Sequence, residues 1–457
     1  MGRATGTQRT KPITLSNIGL GKLGACYAAF AAHRGFNVIG MDADIKKVDA
    51  ICMGKAPVEE PDLQKLITAH TKRLTAVHDI QQAVRESSAT FIIVPTPSKK
   101  DGSFSLQPTI AVCAEIGKAL KTKKDYHLIT LISTVLPGNC REEIIPAVER
   151  TSGKKCGPDF GFCYSPSLIA IGEVLRNLFN PDFLFLGAFD KRSEDALAAL
   201  YKKLYPHIEP ERMSIESAEL AKIALNSFVT MKITFANTLG EICEKLPFAN
   251  VDHVTTALGK DKRIGSRYLR SGLGFGGPCF PRDNRAFANM AQKRGVDTPL
   301  ARATDQINER MATRIARTLD SIARMHRAKR IGFLGISYKP RTTMIEDSHA
   351  RMIADAVSSR YKYHLGIFEP IHLIEARGHF GKKATYHETL KGIAEWSDII
   401  FISNKDDVFS VLPSLIRSGK KKIVVDPWGM FTQNDFGTHA TYHALGHSCN
   451  PTIPQET

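Results

Sequence analysis

Gly19-Leu20-Gly21-Lys22-Leu23-Gly24 is the stretch on which the fold turns. Residues 12–18 before it read as a short buried strand, and the small residues from Ala25 to His33 after it read as a helix. Residues 37–41 form a second apolar run that ends in Asp42. Strand, glycine loop, helix, strand and terminal acid within about thirty residues is the full context of a dinucleotide-binding unit. Gly19, Gly21 and Gly24 permit a tight turn, approach of the backbone to a pyrophosphate, and packing of helix on strand. The helix N-terminus then offers free N–H groups and a favourable field to phosphate. Asp42, placed to bond both hydroxyls of an adenine ribose, would repel a 2′-phosphate, so NAD rather than NADP is the expected cofactor.

Working outward, residues 90–94 and 128–133 read as further strands of a parallel sheet. Their ends carry the hydroxyl-bearing loops Pro95-Thr96-Pro97 and Ser133-Thr134-Val135. From residue 214 to 245 the pattern becomes one long helix, with Leu220, Ile223, Ala224, Phe228, Ile233 and Leu239 as its apolar positions. A second α/β region follows, with strands at 329–334, 364–368, 398–403 and 421–425, a loop at 335–348 and a helix at 349–359. It lacks a three-glycine loop, so a second NAD site is not expected, and a clamp for another substrate is. The fold class expected is therefore α/β, two Rossmann-like doubly wound domains joined by a long central helical region. The boundaries are 1–212 for the NAD-binding domain, 213–318 for a central helical and dimerisation domain, 319–446 for the C-terminal domain, and 447–457 for a flexible tail.

Composition agrees with a soluble globular protein: 457 residues, 43% hydrophobic and 24% charged, with no apolar run of membrane-spanning length. No signal-peptide core follows the basic, polar start, so a cytoplasmic location and no membrane partner are expected. A net charge of +16 invites a nucleic-acid reading. The lysine clusters (Lys99-Lys100, Lys121 to Lys124, Lys382-Lys383, Lys420 to Lys422) are short, dispersed and free of interleaved aromatics, so no nucleic-acid partner is expected. Nine scattered cysteines (26, 52, 113, 140, 156, 163, 243, 279, 449) show no metal-knuckle spacing, and no metal is expected.

One cysteine stands apart, in Gly272-Leu273-Gly274-Phe275-Gly276-Gly277-Pro278-Cys279-Phe280-Pro281-Arg282-Asp283. Four glycines in six residues make a backbone-rich loop able to approach a ligand. The loop delivers a thiol, whose pKa Arg282 and a helix start just beyond would lower, with a carboxylate four residues later. The stretch resembles the catalytic loop of the UDP-glucose/GDP-mannose dehydrogenase family. The other motifs correspond in order over nearly the whole chain: the glycine loop with Asp42, Val94 to Pro97 followed by Asp101-Gly102-Ser103, Ser133-Thr134-Val135, Glu219 to Asn226, Arg263-Ile264-Gly265, and Leu334 to Pro340.

The resemblance implies an NAD-dependent oxidation of C6 of a nucleotide sugar by two hydride transfers, through a thiohemiacetal and a thioester on Cys279. It implies UDP-glucose as the first substrate and a UDP-N-acetylhexosamine as the alternative. Lys222 and Asn226, one helical turn apart, would hold the oxyanion at C6. Asp283 would orient Lys222 and a catalytic water, and Thr134 would bind water beside the nicotinamide. Lys47, Thr96, Ser133 and Arg282 join Asp42 and the glycines on the cofactor. Arg263, Tyr268, Phe275, Gly276, Tyr338 and Lys339 join Lys222 and Asn226 on the substrate, with Arg263 reaching across a homodimer or larger assembly. Three departures stand out. Ser167 and Ile171 occupy positions where glutamates are expected, the first of which assists thioester hydrolysis; Glu346 replaces a cofactor-side arginine; and an arginine is missing near Asp426-Pro427-Trp428. A homologue that binds both ligands with impaired hydrolysis is the alternative these departures motivate.

Overall fold

A computed structural model describes residues 13–99, 101–169, 172–417 and 419–448. Ile171, Cys449 and the residues from 449 onward in the expected tail lie outside them. The chain divides into two compact units, Met1–Ile223 and Ala224–Thr457.

The first unit is built on β1 (Thr14–Ile18), β2 (Asn37–Met41), β3 (Leu74–Val77), β4 (Ala89–Ile92), β5 (Leu128–Leu131), β6 (Gly161–Tyr164), β7 (Phe185–Ala188) and β8 (Glu211–Ser214). They lie in the order β3-β2-β1-β4-β5-β6-β7-β8, parallel except for the β6/β7 pair. β4, β5 and β6 are buried along their whole length, as strands covered on both faces must be. Leu15, Phe91 and Leu128 pack on one face with Phe30 and Phe36, while Ile92, Ile129 and Phe162 pack on the other. The order reverses between β1 and β4, the switch point at which doubly wound sheets hold ligands. The helix after the glycine loop begins at Lys22, three residues before the expected start.

Away from that edge, the sheet encloses a polar chain. His127, fully buried at the entry to β5, bonds Thr90 Oγ1 through Nε2 (2.7 Å) and Lys123 Nζ through Nδ1 (3.0 Å). Thr90 in turn meets Ser16 at 2.6 Å. Lysine only donates, so Nδ1 accepts and Nε2 carries the hydrogen. Burial and the Lys123 ammonium push the imidazole down to about 3. The folded chain thus keeps His127 neutral while the unfolded chain takes up a proton below about pH 6.5. Stability is complete above that pH and is lost as pH falls toward the folded value. Between pH 6.5 and 5 the loss is about 2 kcal/mol. Denaturant unfolding across this range should show that slope, and His127→Gln should flatten it; equal slopes would refute the assignment.

The second unit carries a six-stranded, all-parallel sheet of β9 (Arg330–Leu334), β10 (His364–Phe368), β11 (Ala384–Tyr386), β12 (Ile399–Ile402), β13 (Lys422–Asp426) and β14 (Ala440–Ala444). Its order, β11-β10-β9-β12-β13-β14, repeats that of the first six strands of the other sheet. Gly335, at φ +87°, fills the place of Gly19, at φ +103°. Glu369, just past β10, stands where Asp42 stands past β2. Glu369 Oε2 is turned onto its own loop, accepting the N–H groups of Ile336 (2.8 Å) and Ser337 (3.1 Å). Burial pushes its carboxyl up. The helix expected at 349–359 is α-helical only over His349–Asp355 and continues as a π turn, Ala356–Arg360. Of the expected tail, His447 and Ser448 are tied down: His447 bridges to Asn250 and Ser448 bonds Ala249.

The long helix spans Ile215–Cys243. Of its expected apolar positions Ile223 is buried, while Leu220 and Phe228 are exposed. Glu219, Lys222, Asn226, Thr230 and Asn237 are buried along one face. Leu220, Phe228, Phe235 and Ile242 are exposed, Phe228 by 59% and Phe235 by 51%.

Candidate active site

In the first unit the three glycines have separate reasons. A Cβ on Gly19 would collide with the Ile93 carbonyl, and one on Gly24 with the Gly19 carbonyl. A Cβ on Gly21 would meet no protein atom within 4 Å. Gly21 is the N-cap of the helix Lys22–His33 and no side chain caps it, so the first N–H groups remain available, which fits a pyrophosphate. Asp42 is mostly buried; Oδ2 accepts from Leu20 N–H (2.7 Å) and Oδ1 from Asp44 N–H (2.9 Å). These bonds fix the carboxylate while leaving acceptor capacity for hydroxyl donors. Lys47 Nζ lies 3.4 Å from both of its oxygens.

The loops past β4 and β5 are stitched to each other. Ser133 Oγ donates to Val94 O (2.7 Å) and accepts from Val94 N–H (2.9 Å). Thr96 Oγ1 donates to Thr134 O (2.8 Å). The two hydroxyls expected on the cofactor thus also shape its loop. Glu219 went unnoticed as a functional group in the sequence. Fully buried, it accepts from Gly138 N–H (2.7 Å) and Cys140 N–H (2.9 Å), tying the segment after Thr134 to the long helix. Lys222, one turn further on, is 8% exposed and donates from Nζ to Ser167 O (2.8 Å). Ser167, found where a glutamate was expected, therefore holds Lys222 through its carbonyl. Glu173, the next carboxylate along the chain from Ser167, pairs with Arg176 at 3.2 Å.

In the second unit, Cys279 is exposed and is the N-cap of the helix Phe280–Lys293. None of the described cysteines is in a disulfide. Asp283, 1% exposed, accepts from Asn226 Nδ2 (2.6 Å) and Arg282 Nε (2.8 Å). Arg282, expected to lower the Cys279 pKa, also pairs with Asp283. Asn226 is held by that same carboxylate, a pairing not read from the sequence.

The glycines of the cysteine loop answer to protein neighbours. A Cβ on Gly272 would strike the Trp428 ring; on Gly274, His349 and Asn308; on Gly276, the Asp347 carbonyl; on Gly277, at φ +79°, the Tyr338 ring. Phe275 is buried, and Gly277 N–H donates to Glu346 O (3.1 Å). Thus Phe275, Gly276 and Tyr338 are brought together, and Glu346 takes part through its backbone. Lys339 Nζ sits 5.9 Å from the Tyr338 ring centre. Tyr268, exposed at φ +61°, meets Phe280 edge-on at 6.2 Å. Arg263 is largely exposed and pairs with Asp261 at 2.6 Å. Where the arginine near Trp428 is missing, Arg270 donates to Trp428 O (2.6 Å). Among the described residues no group of three or more His, Cys, Asp or Glu is placed to hold a metal ion.

Comparison with known proteins agrees with this geometry. The NAD binding domain of the UDP-glucose/GDP-mannose dehydrogenase family matches residues 13–205, and the central domain of that family matches 216–310. GDP-mannose 6-dehydrogenase of Pseudomonas aeruginosa is 33% identical over 90% of this chain and 95% of its own length. A UDP-glucose 6-dehydrogenase of Haloferax volcanii is 30% identical over 92% and 98%. Among solved structures, a UDP-glucose dehydrogenase of Pyrobaculum islandicum gives a TM-score of 0.86 at 28% identity, covering 97% of this chain and all of that one. The chain thus belongs to the UDP-glucose/GDP-mannose dehydrogenase family and is an NAD-dependent nucleotide-sugar 6-dehydrogenase.

Proposed function

We propose that the chain oxidises the C6 alcohol of a nucleotide-linked hexose to a carboxylate, with Cys279 as the covalent attachment point and UDP-glucose as the first substrate. The observation that carries this is the Cys279 helix start, with Asp283 buried four residues on and bonded to Asn226. NAD, when bound, supplies the acceptor for both hydrides. The glycine loop and Asp42 hold pyrophosphate and ribose. Loss of the first hydride and the hydroxyl proton gives the aldehyde. The Cys279 sulfur adds to its carbon while the carbonyl oxygen takes a proton, forming a thiohemiacetal. Loss of the second hydride and that proton leaves a thioester, and water cleaves it to the carboxylate and free thiol. Lys222 and Asn226 stabilise negative charge on the C6 oxygen, and Asp283 keeps the Asn226 amide in orientation. The balance is one alcohol, two NAD+ and one water to one carboxylate, two NADH and three protons. A cytoplasmic location goes with this reading, since both ligands are cytoplasmic metabolites; no helix among the described residues is long and apolar enough to cross a membrane.

GDP-mannose is a second reading, favoured by the 33% identity to a GDP-mannose 6-dehydrogenase. Purified protein given NAD and a panel of nucleotide sugars should yield two NADH per sugar oxidised, most rapidly with UDP-glucose. A yield of one, or none with any sugar, would overturn the four-electron reading.

A homodimer, or a larger assembly built from it, is part of the proposal. The apolar stripe Phe228, Phe235 and Ile242 repeats every seven residues on the outer face of the long helix, the pattern of a helix that packs against another. Phe235→Glu should convert the assembly to monomers in sedimentation experiments, weakening association by at least about 3 kcal/mol. An unchanged mass would refute the interface.

A further inference from the structure

The loop that precedes Cys279 has neither helix nor strand over residues 271–276, so its peptide groups must find partners elsewhere. Two buried asparagines provide them. On the long helix, Asn237, 2% exposed, accepts from Gly272 N–H (2.9 Å) and donates from Nδ2 to Leu273 O (3.3 Å). On the helix Pro299–Met325, Asn308, 6% exposed, accepts from Phe275 N–H (2.8 Å) and donates from Nδ2 to Phe275 O (2.9 Å). Each amide thus stands in for a neighbouring peptide strand, grasping one donor and one acceptor of the loop. His349 lies beside the second clamp: its Nε2–H donates to the main-chain carbonyl of Asn308 at 2.9 Å, and its ring leaves room at position 274 only for glycine. A buried amide is costly unless its hydrogen-bonding groups are met, and an apolar pair would pack these helices at lower cost. The two clamps differ in kind from packing because they fix the height and orientation of the loop's backbone.

We infer that Asn237 and Asn308 are positioning residues for the oxidation, setting the place of the Cys279 sulfur by clamping the peptide groups of residues 272–275 from two different helices. The inference rests on the proposed role of Cys279. Replacing either by Asp keeps size and acceptor but sets a carboxylate oxygen against a loop carbonyl, which repels it.

The test uses the full chain with Asn237→Asp, Asn308→Asp and Gly274→Ala, the last unseating Asn308 from the loop side. The control is Asn250→Ala, which removes the N-cap bonds to the Asp252 and His253 N–H groups. Two quantities are read: the rate of Cys279 alkylation by iodoacetamide from the intact mass and the modified peptide, and kcat alongside the KM for NAD. A displaced loop lowers kcat roughly 30- to 100-fold with the KM for NAD within about twofold of wild type. It also changes the alkylation rate about fivefold or more. The control moves the melting temperature and neither of these. Variants that melt lower yet keep wild-type alkylation and kcat overturn the inference and leave the asparagines as ordinary structural groups. If wild type oxidises no nucleotide sugar, the proposed function fails, and the alkylation rates alone decide the positioning role. If neither Asp variant folds, Gly274→Ala decides it by the same two readings.

Discussion

Cys279→Ser is expected to lower steady-state turnover by a factor of about a thousand or more while leaving NAD affinity unchanged. The serine hydroxyl has nearly the shape of the thiol but is scarcely ionised at neutral pH, whereas a cysteine already supplies a few per cent of thiolate. Helix placement favours the anion further, since Cys279 is the N-cap of Phe280–Lys293 and faces the positive end of its dipole. Of the residues expected to hold NAD, all but Arg282 belong to the other compact unit, and the exchange alters none of them. The check is paired: NADH formation with a nucleotide sugar, and NAD titration followed by fluorescence. Turnover within tenfold of wild type would remove the covalent route and leave a dehydrogenase without a sulfur intermediate.

Asp283→Ala comes next in expected size and acts on stability as well as on rate. The carboxylate is 1% exposed and receives the Asn226 amide and the Arg282 guanidinium, so its loss leaves a buried amide donor and a charge without their acceptor. Such a change costs roughly 2 to 4 kcal/mol of folding stability, below the figure for a wholly buried pair because Arg282 keeps some contact with solvent. Freed from its acceptor, the Asn226 amide loses its fixed orientation, and turnover should fall by about a hundredfold. Asp283→Asn retains an acceptor and should recover most of the stability but only part of the rate. Denaturant unfolding of both variants beside their kcat separates the two effects. Stability within 0.5 kcal/mol of wild type (roughly the scatter of a surface substitution) would mean that the buried cluster is not what holds this carboxylate.

The sequence allows both doubly wound sheets to be placed because their strands are short apolar runs closed by turn residues, and the glycine loop fixes the first of them. Lys222, Asn226, Cys279 and Asp283 are legible by their resemblance to a family pattern. What is not legible depends on contacts between distant segments. Phe228 reads as one apolar position of the long helix like Ile223, yet Ile223 is buried and Phe228 lies on the outer face, opposite Asn226 and Asn237. Periodicity locates a stripe without stating which side of a helix faces the protein's own interior. The glycines at 272, 274, 276 and 277 read as room for a ligand, and the structure fills that room with Trp428, His349, the Asp347 carbonyl and Tyr338. Arg282 reads as an activator of the neighbouring thiol, and its bond to the carboxylate one residue along the chain carries no signal in the sequence. The amides of Asn237 and Asn308 gave no signal in the sequence, although a polar residue amid an apolar helical run is the kind of position to question.

The repeated strand order has a consequence for how each sheet can be put to use. In both, an acid follows the second strand: Asp42 in one, Glu369 in the other, longer by one methylene. Each carboxylate accepts the first N–H past its loop glycine, Leu20 in one and Ile336 in the other, and the longer Glu369 takes that of Ser337 as well. Glycines placed in the loop after β9 would therefore meet a carboxyl that is buried and already shared between two N–H groups of that loop.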